Sequence, residues 1–81
     1  MTDTAPAEIE PRKGQIWREV DPRQNRYVRV LGVNGMGEVQ VETVYNADGK
    51  WFRAHGTRRG WAKLDRFNGR RGGYALQEDA K

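Results

Sequence analysis

Neither cysteine nor serine occurs in the 81 residues, and histidine occurs once, at position 55. Without cysteine there is no disulfide, no thiolate zinc ligand and no thiol nucleophile, and nothing marks an oxidising compartment, so a cytoplasmic location is expected. The lack of serine removes the commonest hydroxyl nucleophile as well, leaving threonine, lysine, a carboxylate or His55 to do covalent chemistry. A hydrolytic triad is therefore not available. One histidine does not form the histidine cluster typical of a zinc site, and no cofactor is expected. Long apolar runs are missing too. The opening residues carry Asp3, Glu8 and Glu10 without a hydrophobic stretch. No secretory signal or membrane span is expected there, and no other segment approaches spanning length.

What the chain does contain is 36% hydrophobic residues, 32% charged residues and ten glycines. At this length one hydrophobic core is the upper limit, and the composition favours several short strands and turns over long helices. The core must be thin. Formal net charge is +4, but its distribution is more informative. Between Lys50 and Gly73 stand eight lysines or arginines against the single acid Asp65, a local balance of +7. The remainder of the chain balances at −3. An anionic partner would be drawn to the later half, whereas the plainer reading is an arginine-rich surface that serves solubility.

Along the chain, residues 1–11 lack any periodicity that could bury a face and are expected to form a disordered head. Gly14 to Val20 reads as a half-buried strand stopped by Asp21-Pro22, and Tyr27 to Val33 as the strongest strand, with Val28 and Val30 inward. Asn34-Gly35-Met36-Gly37 supplies hairpin chemistry before Glu38 to Tyr45. There Val39, Val41 and Tyr45 share one face, and Glu38, Gln40 and Glu42 are expected to meet water. Asn46-Ala47-Asp48-Gly49 is another turn, followed by a fourth strand, Lys50 to Ala54, in which Trp51 or Phe52 must point inward. His55 to Gly60 reads as an exposed loop. Leu64 and Phe67 are expected to bury together from a single 3₁₀ or α turn. Asn68 to Gly73 forms a second basic loop, Tyr74-Ala75-Leu76 closes the sheet, and the chain frays from Gln77.

Five short strands with a helical turn before the last is the order of an SH3-like barrel, partly open and all-β. The domain is placed at residues 12–77, between the head and a frayed end at 78–81. The blocks Gly14-Gln15-Ile16-Trp17-Arg18-Glu19-Val20-Asp21-Pro22-Arg23, Arg26-Tyr27-Val28-Arg29-Val30 and Arg66-Phe67-Asn68-Gly69-Arg70-Arg71-Gly72-Gly73-Tyr74 resemble a family of small phage- and prophage-associated bacterial proteins of unassigned function. The Gly-Gln-Ile-Trp opening is also shared widely among SH3-like barrels, including ribonuclease toxins of the MazF and PemK type. The resemblance implies a viral or mobile-element setting and assigns no residue a role.

The chemistry legible in the residues is that of binding. Arg53, Arg58, Arg59, Lys63, Arg66, Arg70 and Arg71 accompany Trp61, and with it form the candidate site for nucleic acid or another anionic partner. Basic side chains neutralise phosphates and flat rings stack on unpaired bases. Against this stands the use of each tryptophan as core or rim packing. His55 could act as a general base, though Arg53, Arg58 and Arg59 would oppose its protonation if close in space; an exposed loop histidine with no role is the preferred reading, since one titratable group is not a site. Three functions remain: a non-enzymatic nucleic-acid-binding protein; a module or inhibitor that engages an acidic surface of a host or virion protein; and a MazF-like ribonuclease using arginine with Asp48 or Asp65. Neither a membrane partner nor a particular oligomeric state is indicated.

Overall fold

The computed structural model describes residues 10–21, 23 and 25–80. The expected head therefore lies largely outside the described residues, as do Pro22, Gln24 and Lys81. Six strands form: β1 (Ile16–Glu19), β2 (Tyr27–Val33), β3 (Glu38–Ala47), β4 (Lys50–Arg53), β5 (Gly60–Lys63) and β6 (Tyr74–Glu78). A 3₁₀ turn at Leu64–Arg66 precedes β6. Their order is β4-β3-β2-β1-β6, with β5 joined to β3, and every pairing is antiparallel. Consecutive strands pair from β1 to β4; β5 then pairs with the first half of β3 rather than with β4, and the 3₁₀ turn carries the chain across to β6, which returns to pair with β1. The protein is thus an all-β, SH3-like, partly open barrel.

Local chemistry accounts for the turns. Asp48 and Gly49 both take positive φ (54° and 78°), the conformation a two-residue hairpin needs to match strand twist. Asn34 nucleates the β2–β3 turn, its Oδ1 accepting from the amides of Met36 (2.9 Å) and Glu38 (3.0 Å), the Asx geometry that suits asparagine to turns. Leu31 is skipped in the β2–β3 register, Val30 facing Val41 and Gly32 facing Gln40. A bulge of this kind bends a strand and helps the sheet curl.

The concave side of that sheet holds the core: Trp17, Val28, Val30, Val39, Val41, Ala62, Phe67 and Tyr74, with Leu76 packed against them. Phe67 stands edge-on to Trp17 at 5.0 Å and stacks on Tyr74 at 4.8 Å, arrangements that suit the aromatic quadrupole. Beneath the core lies a polar knot. Gln15 is 2% exposed; its Oε1 accepts from Trp17 Nε1 (3.0 Å) and the Arg12 amide (2.6 Å), while its Nε2 donates to Asp79 Oδ1 (2.9 Å). One buried amide therefore ties the entrance of the fold, the largest core side chain and the chain's exit. Pro11 is also buried, and β6 runs to Glu78, so ordered structure extends past both expected boundaries.

Several sequence expectations change. Glu42, expected in water, is buried at 7% exposure, as is Val44 at 3%, whereas Tyr45, expected inside, is 47% exposed. The middle of β3 is covered on both faces, by the core on one side and by Arg29 and its neighbours on the other; the hairpin beyond it overhangs the core. Tyr45 pairs there with Phe52, also exposed, at 5.9 Å between rings. Neither Trp51 nor Phe52 joins the core. Leu64 does not bury with Phe67: it is 40% exposed, because the 3₁₀ turn aims only the residue after it inward. The fourth strand is followed by a further one, β5, which sequence periodicity left unassigned.

Candidate functional site

Strand alternation sorts the side chains of the sheet onto two faces. Trp17, Val28, Val30, Val41 and Ala62 face the core. Their strand neighbours Ile16, Arg29, Glu42 and Trp61 consequently face outward. Register places Arg29 opposite Glu42, Arg53 opposite Val44, Trp51 opposite Asn46, Trp61 opposite Gln40 and Lys63 opposite Glu38. The outer face of β2 to β5 thus carries two of the three tryptophans with several arginines and lysines.

The middle of this face is internally compensated. Glu42 takes Arg29 at 3.3 Å and Arg53 at 3.9 Å. Arg29 also donates to the Trp51 carbonyl at 2.8 Å, linking β2 to β4 across β3. Tyr27 lies against Trp51, ring centroids 5.0 Å apart. These contacts brace the face and leave Arg53 a structural partner already.

Of the other candidates, Arg58 and Arg59 are exposed in the β4–β5 loop, Trp61 is exposed on β5 and Lys63 is exposed at its end. The loop is closed by Thr57 Oγ1, which donates to the Ala54 carbonyl at 2.7 Å, and by the Ala54 amide, which donates to the Thr43 carbonyl at 3.0 Å. Arg70 and Arg71 are exposed on a different loop, between the 3₁₀ turn and β6. That loop is unusually well fixed. Gly72 N donates to Val20 O (2.9 Å), Val20 N to Gly73 O (2.8 Å) and Gly69 N to Tyr74 O (2.7 Å). Asn68 Oδ1 accepts from the Arg70 amide (2.7 Å), and Asn68 Nδ2 donates to Asp65 O (2.8 Å).

Arg66 supports that loop. Its guanidinium lies 5.0 Å above the Tyr74 ring, and its Nη2 donates to Gly72 O at 3.1 Å. Gly73 meets a close approach of the same segment: a Cβ there would stand 2.3 Å from Arg66 O. The sequence-predicted set therefore divides. Arg53 and Arg66 are held by the protein's own groups, whereas Arg58, Arg59, Lys63, Arg70 and Arg71 have no carboxylate within 4.0 Å among the described residues. The ion pairs go instead to Arg23, Arg26, Arg29 and Arg53. Arg59, Trp61 and Lys63 share the β5 segment; Arg70 and Arg71 enter from the loop that leads to β6.

Sequence reasoning passed over a cleft of about 410 Å³ on the outer side, walled by Lys13, Ile16, Arg29, Lys50, Trp51 and Glu78. Trp51 Nε1 is buried without a hydrogen-bond partner among the described residues. Nothing local in the sequence joins position 13 to positions 50 and 78; only the sheet order does. His55 is exposed in the β4–β5 loop. No group of three or more His, Asp or Glu side chains placed to hold a metal ion occurs among the described residues. None of the described helical segments is long and apolar enough to cross a membrane. No family model, curated protein or solved structure matches the chain.

Proposed function

We propose that this protein is a non-catalytic nucleic-acid-binding domain that docks on phosphates through Arg58, Arg59, Lys63, Arg70 and Arg71, in the cytoplasm and in a phage or mobile-element setting. The observation that carries the reading is the uneven use of its acids. Glu42, Glu19 and Asp21 are each taken by arginines outside this set or by Arg53, so among the described residues five cations stand without an ion-pair partner. Such a surface gains free energy from phosphates chiefly by releasing condensed counterions. The bracing of residues 68–73 supports the same reading, since a fixed loop loses little freedom when its arginines engage.

The two acids a ribonuclease would draw on, Asp48 and Asp65, both sit in turns that their backbones help to form. Asp48 occupies a left-handed position in the β3–β4 turn, and Asp65 lies in the 3₁₀ turn, where its carbonyl receives Asn68. Anisotropy titration of labelled single-stranded and duplex oligonucleotides at low salt tests the proposal. Binding in the micromolar range or tighter is expected, with the oligonucleotide left intact. Lack of binding to both, with retention of an acidic polypeptide, would replace it with the protein-interaction reading.

A further inference from the structure

Resting on that reading of the surface, we infer that Trp61 is a stacking platform for an unpaired base, which makes the preferred ligand single-stranded rather than duplex nucleic acid. Trp61 is 56% exposed although it lies within a strand. Tyr27 and Trp51 pair with each other, Tyr45 with Phe52, and Phe67 with Trp17 and Tyr74. Among the described residues Trp61 is the tryptophan with no ring paired against it. Its alternation partner Ala62 is the residue that anchors β5 in the core, so the indole is not needed there for packing.

Its flanks carry the second half of the argument. Lys63 follows two residues later on the same face, and Arg59 precedes it by two, next to the first residue of β5. Two residues of strand span about 6.5 Å, which sets Lys63 that far along β5 from Trp61, while Arg59 enters from the loop just before the strand, so the chain carries a basic residue to either side of Trp61. An extended polynucleotide presents the matching pattern, a flat base with a phosphate on either side. Of the acids on this face, Glu42 is compensated by Arg29 and Arg53, whereas Glu38, opposite Lys63, is held by the neutral Asn34 amide at 3.0 Å and offsets part of the Lys63 charge. A base within a duplex cannot offer its π-face to the indole, whereas an unpaired one can.

The test is a titration of the intact protein with an oligothymidylate, the matching duplex and a poly-glutamate of similar charge, reading both anisotropy and tryptophan emission. Wild-type protein is expected to bind the oligothymidylate more tightly than the duplex, with emission quenched. Trp61→Ala is expected to weaken single-strand binding roughly 5- to 150-fold and leave duplex binding unchanged. Trp61→Phe keeps a ring and retains most of the affinity; unchanged thermal melting of both variants guards against a folding artefact. Equal single-strand affinity for wild type and Trp61→Ala overturns the inference while leaving phosphate docking intact. Failure of wild-type protein to bind either nucleic acid overturns both. A poly-glutamate complex with the same quenching and the same loss in Trp61→Ala also refutes base stacking.

Discussion

Replacing Gln15 by leucine tests how the barrel is held shut. The substitution keeps a similar volume at a site 2% exposed but removes every hydrogen-bonding atom. Trp17 Nε1, itself in the core, loses its acceptor at 3.0 Å, and a buried donor left unpaired costs about 1–3 kcal/mol. The Arg12 amide loses its acceptor as well, for about 0.5–1.5 kcal/mol. The link to Asp79 lies at the surface and adds little. Together these give about 1.5–4.5 kcal/mol, a large share of the roughly 4–12 kcal/mol expected for a domain of this length. At about 4–8 °C per kcal/mol for such small domains, Tm falls by roughly 6–36 °C. Thermal melting followed by near-ultraviolet circular dichroism, with urea titration for the free energy, supplies the measurement. A Gln15→Leu variant within about 0.5 kcal/mol of wild type, the range of an ordinary surface change, would refute the view that this amide secures the two chain ends and the core tryptophan.

Two further outcomes follow from the same geometry. Gly73→Ala forces a Cβ into the Arg66 carbonyl, 2.3 Å away; the loop must shift, and a loss of about 1–3 kcal/mol in urea denaturation, accompanied by weaker oligonucleotide binding, is expected. The Asp79 carboxyl is held below its ordinary pKa of 3.8, first by the Gln15 hydrogen bond and then by the Ala80 amide, against an opposing effect of desolvation that outweighs the lesser help of Arg12. A depressed folded pKa means stability present above the unfolded value and lost as pH falls through 3.8 toward the folded one. Asp79→Asn is therefore expected to flatten the acid limb of the Tm–pH curve below about pH 4, and an unchanged limb would contradict the assignment.

Much of the fold was legible because alternation and turn chemistry agree over long stretches. Val28, Val30, Val39 and Val41 lie inside as their spacing predicts, and Asp48-Gly49 turns as its residues demand. The reading failed where a second surface intervenes. Alternation marks Glu42 and Val44 as one face of β3, but it does not reveal that Arg29 and Trp51 arrive from neighbouring strands to cover that face. β5 escaped because Gly60-Trp61-Ala62-Lys63 offers the core only the small side chain of Ala62. Gln15 showed nothing in its local sequence to mark it as a hub, since its partners lie at positions 12, 17 and 79. At the candidate site, the clustering of positive charge could be counted from residue types. Which arginines stay uncommitted could not, because Glu42 reaches Arg29 and Arg53 only through strand register.

The central claim, that unpaired cations on the β5 segment and the braced loop neutralise phosphates, is tested most directly by the salt dependence of oligonucleotide binding. Each phosphate neutralised on a single strand contributes about −0.7 to the slope of log K against log salt concentration. With Arg58, Arg59, Lys63, Arg70 and Arg71 available, the predicted slope lies between about −2 and −3.5, and Arg70→Gln with Arg71→Gln shallows it by about 0.7 to 1.4. A slope near zero, or one that this double variant leaves unchanged, would contradict the account.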